Sequence, residues 1–391
     1  MENIFLEVKK HKHILLCGDN INSLSVARSL GQEGIKTIAI VLDYSKFSLL
    51  KASKFIDKIH LVYSEEESLD VLMQYADLNC KPFVYTTDDN HERLLDLHYD
   101  ELKDAFYFFN AGESGRVTSF MNKEKLCCLA KECGFRIPKG VALNRGELPK
   151  NLTYPVFTKT INPYAKGWKK DVVICYNENE LKKAYISFVS ERLLVQEYIP
   201  KKNELEVHGF SIKGGEQIYF SFASLYYRLT DKNFGAYKYY NIFNDEKTRH
   251  KIELMIKKVG FSGNFEVEFI VTNDDQLVFL EINFRFPMSN YACTFGGANM
   301  PMLWAASTLS GKIVKSSNLK SEQFSALNEF SDFAESVLGR KISVWQFLKD
   351  LKRADMLFTY NRKDPKPFFV ELKYKILKKF FRHHKVRIIS N

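Results

Sequence analysis

No stretch of the 391-residue sequence approaches the roughly 18 consecutive apolar residues that a membrane-spanning helix needs. The first ten residues, MENIFLEVKK, carry charge too early for a secretory signal. The seven cysteines are odd in number and include no CxxC pair. That argues against a disulfide framework or a cysteine metal site and predicts reduced thiols in a cytoplasmic protein. Cys127 and Cys128 fall on a predicted helix, as core residues. No GxGxxG follows the first apolar run, so a dinucleotide site of that kind has little support. Internal repeats and low-complexity segments are also lacking. The net charge of +10 is unevenly spread: residues 371–391 hold seven Lys/Arg against one Glu. The body has no basic stripe interleaved with aromatics, which excludes nucleic acid as the expected partner.

What is present is a globular composition, 45% hydrophobic and 27% charged, with ample material for a core. The length predicts two or three domains. HILLCGDNINSLSVARSLGQEGIKTIAIV (13–41) reads as strand, turn, amphipathic helix and strand, a βαβ unit that favours a parallel sheet. KPFVYTTDDNHERLLDLHYDEL repeats the pattern and sets Asp88, Asp89 and Asn90 at a strand's carboxyl end, where open α/β sheets place ligands. Those acids are equally suited to forming the turn itself. This first, Rossmann-like domain is expected over 1–115. From 116 to about 310 strands and helices alternate in mixed α+β order, in two parts near 116–200 and 201–310. Residues 311–391 read as a helical extension. Its basic tail sets Leu372, Ile376, Leu377, Phe380 and Phe381 on one helical stripe. Such a tail suits the anionic inner face of a membrane, or a terminal helix docked on its own protein.

The strongest chemical signal is a pair of strands. In LVFLEINFRFP (277–287), alternation puts Leu277, Phe279, Glu281, Asn283 and Arg285 on one face and Val278, Leu280, Ile282 and Phe284 on the other. The preceding GNFEVEFIV sets Glu266, Glu268 and Ile270 against an apolar face of Phe265, Val267, Phe269 and Val271. TNDDQ between them is a turn signal. A two-residue turn at Asp274–Asp275 predicts Glu268 opposite Glu281 and Glu266 opposite Asn283. Like charges so placed repel, and a divalent cation such as Mg²⁺ relieves them. The alternative is an outward-facing, solvated sheet face. Asn283 and Arg285 beside the pair favour a site, because they add a neutral oxygen ligand and a fork for phosphate or carboxylate.

FLEINFRF resembles the E-I-N-P-R-F strand of ATP-grasp enzymes, with Glu268 matching the acid of their preceding strand. NKEKLCCLAKECGFRIP resembles the family's D-K-x-x-L…G-x-x-x-P helix, with Asn122 in place of Asp. YPVFTKT and LLVQEYIP resemble its Y-P-V-x-x-K-P and V-Q-E-Y-I-P segments. TFGGANMP (294–301) and SVWQFLKD…DPKP (343–367) are similar to parts of a D-aspartate ligase-like, carboxylate–amine ligase branch. The resemblance implies an ATP-grasp fold, two α+β subdomains clasping ATP, behind the Rossmann-like domain.

It further implies two Mg²⁺ ions, with Mn²⁺ as an alternative, on Glu268, Glu281 and Asn283. ATP would meet Lys123, Lys159, Lys166, the hinge Glu197–Tyr198–Ile199, and Glu204 at the ribose. Lys159 and Arg285 would serve phosphoryl transfer. Arg228 is expected at the substrate carboxylate, Asp88 and Asp89 at an amine. The implied partners are a small-molecule carboxylate and amine, free or carried on a cell-envelope precursor, and a dimer is possible on the same grounds. A non-catalytic ATP-binding switch or adaptor is the alternative. The sequence departs from the family in TINPYAKGWKKD, where a Gly/Ser-rich loop is usual, in Phe284 for Pro, and in Lys201 for Gly beside the ribose position.

Overall fold

The computed structural model describes residues 2–42, 48–162, 164, 168–229 and 237–388. The βαβ pattern forms a four-stranded parallel sheet in the order Ile56–Val62, Thr37–Leu42, His13–Gly18, Phe83–Thr86. The helix Ile21–Gln32 begins where Asn20 accepts from the Ser23 amide, an N-cap that ends the first strand's turn. Strands near 140–197 form a second, antiparallel sheet in the order Gly140–Asn144, Arg192–Glu197, Val156–Thr160, Val173–Cys175.

A third sheet of seven strands is the backbone of the site. It runs Leu277–Asn283, Gly263–Val271, Asn203–Ile212, Gln217–Tyr226, Tyr237–Ile242, Phe324–Leu327, Met356–Leu357. Its pairs are antiparallel until the last, which is parallel. The segment after 311 is therefore helical and, in addition, contributes two strands to this sheet. The long helix Lys366–Ile388 starts with Phe368 stacked on Phe330 at 5.3 Å and edge-on to Tyr360 at 5.5 Å. Ile376 of the expected stripe is exposed, and the stripe's Phe380 and Phe381 have side chains outside the described residues. Among the described residues no helix is long and apolar enough to cross a membrane.

The first and third sheets share one core. Trp304, on the apolar helix Met300–Ser310, meets Phe109 edge-on at 4.7 Å and Tyr85 at 5.7 Å, while Phe286 lies against both. This seam brings the carboxyl end of Phe83–Thr86 against the Glu/Asn strand. It is sealed where the Phe286 amide donates to the Thr86 carbonyl. A buried clip closes the other side. Arg28 ion-pairs with Asp364 at 3.2 Å and donates to the carbonyls of Phe358, Thr359 and Asp364.

Candidate active site

The hairpin Gly263–Val271/Leu277–Asn283 carries the expected pairs: Glu268 lies opposite Glu281, and Glu266 opposite Asn283. The turn that produces them is different. Thr272 and Gln276 pair across three residues, with Asp275 at φ 60, so the pairs near the turn are offset by one. A bulge beside Glu268 and Phe269 restores the register. Its consequence is a corrected face. Phe279, expected beside Glu281, is buried against Phe135 and Phe269. Leu280, expected in the core, lines the cleft instead.

The strand Asn203–Ile212 extends the acidic rows to a third member. Glu206 faces Glu268, and His208 faces Glu266. Glu281, Glu268 and Glu206 thus lie side by side across three strands, flooring a cleft of about 590 Å³. Lysines answer the outer two. Lys123 Nζ donates to Glu281 Oε2 at 2.6 Å, and buried Lys238 pairs with Glu206. Ser224 Oγ and Tyr226 OH donate to Glu206 as well. Among the described residues Glu268 has no cation: it accepts from the Asn283 amide at 2.8 Å.

The titration directions follow this layout. Burial opposes ionisation of Glu281, but Lys123 and Lys159 outweigh it and hold the carboxyl down at about 2. For Glu206 Lys238 and His208 likewise outweigh burial, and the group is lowered. Glu268 has burial plus Glu281, Glu266 and Glu206 acting together, which push it well above the carboxylate range. A carboxyl that resists ionisation, set between two that favour it, is an arrangement that a divalent cation resolves. The donor set, two carboxylates and a neutral amide at one edge, suits a hard cation such as Mg²⁺.

Lys159 projects from Val156–Thr160 into the cleft, buried, and makes no ion pair among the described residues. Burial and then Lys123 lower its pKa. A buried ammonium so placed is poised for an anion. Lys123 sits at the start of the helix Lys123–Glu132, which Asn122 caps by accepting from the Glu124 and Lys125 amides. Asn therefore performs the capping work of the usual Asp. At the hinge, the amides of Glu197 and Tyr198 donate to the carbonyls of Lys139 and Pro155, and Glu197 Oε1 accepts from the Lys139 amide. Of the three hinge amides only Ile199's has no protein acceptor among the described residues, and Tyr198 and Ile199 both line the cleft. Glu204 also lines it, paired with Lys201, the residue that replaces the usual glycine. Lys166 lies outside the described residues.

The substrate-side expectations divide. Arg285 lines the cleft, donating to Asp89 Oδ1 and to Asn283 Oδ1, each at 3.1 Å. Asp89 joins the site through that pair. Asp88 does not; it caps the helix Asp89–Leu97, accepting from the His91 amide and ring and from the Gly18 amide. Arg228 is likewise elsewhere, clamped by Asp332 and by Asp350 at 2.6 Å with Ser336 at 3.2 Å. Its guanidinium is filled by the protein and does not line the cleft.

Sequence reasoning passed over Glu206 and Lys238. The signals were there: Glu206 alternates with Glu204 and His208 in ELEVH, and Lys238 is a strand-interior lysine, the same oddity that marked Lys159.

No family model matches the chain, and no curated protein does either. Solved structures do. The N5-carboxyaminoimidazole synthetase from Staphylococcus aureus superposes with TM-score 0.63 at 16% identity, over 83% of this chain and 84% of that one. The L-amino acid ligase from Bacillus licheniformis gives TM-score 0.59 at 16% identity, over 81% and 79%. The biotin carboxylase domain of 2-oxoglutarate carboxylase from Hydrogenobacter thermophilus, complexed with MgADP and bicarbonate, gives 0.62 at 17%, over 80% and 73%. At such identities the likeness establishes architecture, and the chain has the fold of the ATP-grasp ligases.

Proposed function

We propose that the protein is an ATP-dependent carboxylate–amine ligase that works through an acyl phosphate. The observation that carries this reading is Glu268 held between Glu281 and Glu206 at the cleft floor, opposite the buried Lys159. A sheet face that merely met solvent would not set three acids in register, one buried and two half-buried, with a buried lysine in the same cleft that has no ion pair among the described residues.

Adenine would enter the hinge, where the Ile199 amide is the donor left for a ring nitrogen. The Glu204–Lys201 pair would meet the ribose, as a charged couple in place of a lone acid. Lys159 and Lys123 would neutralise the phosphates, and Lys166 would act from the covering loop. Mg²⁺, as two ions and replaceable by Mn²⁺, would be held by Glu268, Glu281 and Asn283 and would supply charge neutralisation between the β- and γ-phosphates. Arg285, which lines the cleft, would orient the substrate carboxylate for in-line attack on the γ-phosphate. That attack yields an acyl phosphate and ADP. The amine, arriving near Asp89, then adds to the acyl carbon, phosphate leaves, and an amide remains. Asp88 and Arg228 would act on this site only through the elements they hold.

The acid is proposed to be an amino acid or an amino-acid-bearing cell-envelope precursor, in a cytoplasmic enzyme whose basic tail meets the anionic inner membrane face. The neighbouring L-amino acid ligase supports the first part. Incubation with Mg·ATP, hydroxylamine and pools of carboxylates tests the chemistry. Hydroxamate and ADP formed with one acid, and lost in Glu281→Ala, are the expected result; ATP binding without either product over a broad pool would favour a non-catalytic module.

A further inference from the structure

Outside the cleft, one helix gathers exposed apolar side chains and cations on a single face. The helix Val344–Arg353 starts where Ser343 accepts from the Gln346 amide. Its inner side is settled: Phe347 packs edge-on against Phe333 at 5.4 Å, and Asp350 is buried on Arg228. Val344, Trp345, Leu348, Lys349 and Lys352 fall at the spacing of the opposite face. Trp345 is 76% exposed, Val344 52% and Leu348 44%, and Leu338, just ahead of the helix, is 59% exposed. The other two tryptophans are Trp168 and Trp304, and Trp304 is in the core.

Charge singles out the occupant. Between Leu338 and Arg353 the cations Arg340, Lys341, Lys349, Lys352 and Arg353 are exposed, whereas the segment's one acid is the buried Asp350. Exposed apolar side chains flanked by this excess of cations make poor contact with another copy of the same face, even with Glu335 and Asp355 standing just outside the segment. A two-fold contact would set the patch against itself and bring lysine towards lysine. The arrangement instead matches an anionic bilayer. There Trp sits at the level of the headgroups, short aliphatic side chains reach the acyl boundary, and Lys/Arg meet phosphates. We infer that the outer face of Val344–Arg353, led by Trp345, Lys349 and Lys352, docks the protein on an anionic lipid surface. The inference needs neither the basic tail nor the ligase reading.

The test uses the full-length chain with its tail intact and vesicles of phosphatidylcholine, with or without roughly one-third phosphatidylglycerol. Sedimentation with the anionic vesicles only, and a blue shift of tryptophan emission on binding, are expected. Trp345→Ala should abolish the shift and weaken binding about tenfold. Lys349→Glu/Lys352→Glu should weaken it more than about twentyfold, since each cation near such a surface is worth about fivefold. Both variants should keep the parent's far-UV circular dichroism and melting temperature, which shows that they are folded. Three results would overturn the inference: no vesicle binding by the parent, variants that bind vesicles like the parent, or Trp345→Ala converting a dimer to a monomer with vesicle binding unchanged.

Discussion

Arg228 and Arg285 each lie two residues past the end of a strand of the same sheet, and both are sequence candidates for a substrate carboxylate, Arg285 the stronger of the two. Their surroundings separate them. Arg228 spends its donors on two buried aspartates, Asp332 and Asp350, and on Ser336. Arg285 meets one half-exposed aspartate and an amide oxygen and still borders the cleft. Arg28 is a third version, fully buried, with Asp364 and three carbonyls as acceptors. Where the guanidinium's donors find their acceptors inside the protein, the cluster holds elements together. Where one carboxyl is forced towards its neutral form and one lysine has no ion pair among the described residues, the cluster is arranged for something that arrives later.

The sharpest way to break this contrast is at Glu281. Glu281→Gln should lower ADP formation by about a thousandfold, the scale of losing a preorganised charge at the reacting phosphate, with the fold retained. If ligase turnover survived, the acidic row would be architecture like Arg28. The reverse result is expected for Arg28→Met. It leaves the Asp364 carboxylate buried without its cation and should cost about 3–5 kcal/mol of stability, read by denaturant unfolding. Nucleotide affinity per folded molecule should not change.

The two arginines give a smaller but more discriminating pair. Arg285→Met should lower kcat/KM for the carboxylate about a hundredfold, with ATP affinity little altered. Arg228→Met should leave the carboxylate KM unchanged and lower the unfolding midpoint, because two buried aspartates lose their partner. A raised carboxylate KM in Arg228→Met would return that residue to the site.

How far this could be read in advance depended on the range of the interactions. The parallel first sheet follows from local βαβ patterning, and Glu268 opposite Glu281 follows from alternation plus a turn. The correct pairing came from two deviations that cancel, a three-residue turn and a bulge, and only the interchange of Phe279 and Leu280 betrays them. Lys238, Glu206 and the fate of Arg228 depend on strands brought together from positions 203 to 357 and on helices that follow them. Local pattern carries no information about which aspartate a distant arginine will find. The strands Phe324–Leu327 and Met356–Leu357 were missed for a related reason: at four and two residues, they are too short for a period to register.

The smallest effect expected is also the one that tests the idea of a poised cluster most directly. Glu268 is raised in the folded chain, first by burial and then by Glu281, Glu266 and Glu206. Its contribution to stability is therefore present below the unfolded carboxyl pKa and is lost as pH rises towards the folded value. Glu268→Gln keeps the shape and removes the titration. Without added metal, the variant should melt higher than the parent at pH 8, by about 1–3 °C for about 1 kcal/mol in a chain of this size. At pH 5 the gap should narrow, because lower pH favours the neutral form that the fold already prefers for this carboxyl. Mg²⁺ with ADP should reverse the order at pH 8, because only the parent gains a ligand-held cation there. A Glu268→Gln melting point below the parent's at both pH values, without metal, would mean that the carboxylate stabilises the fold, as Asp364 does at Arg28.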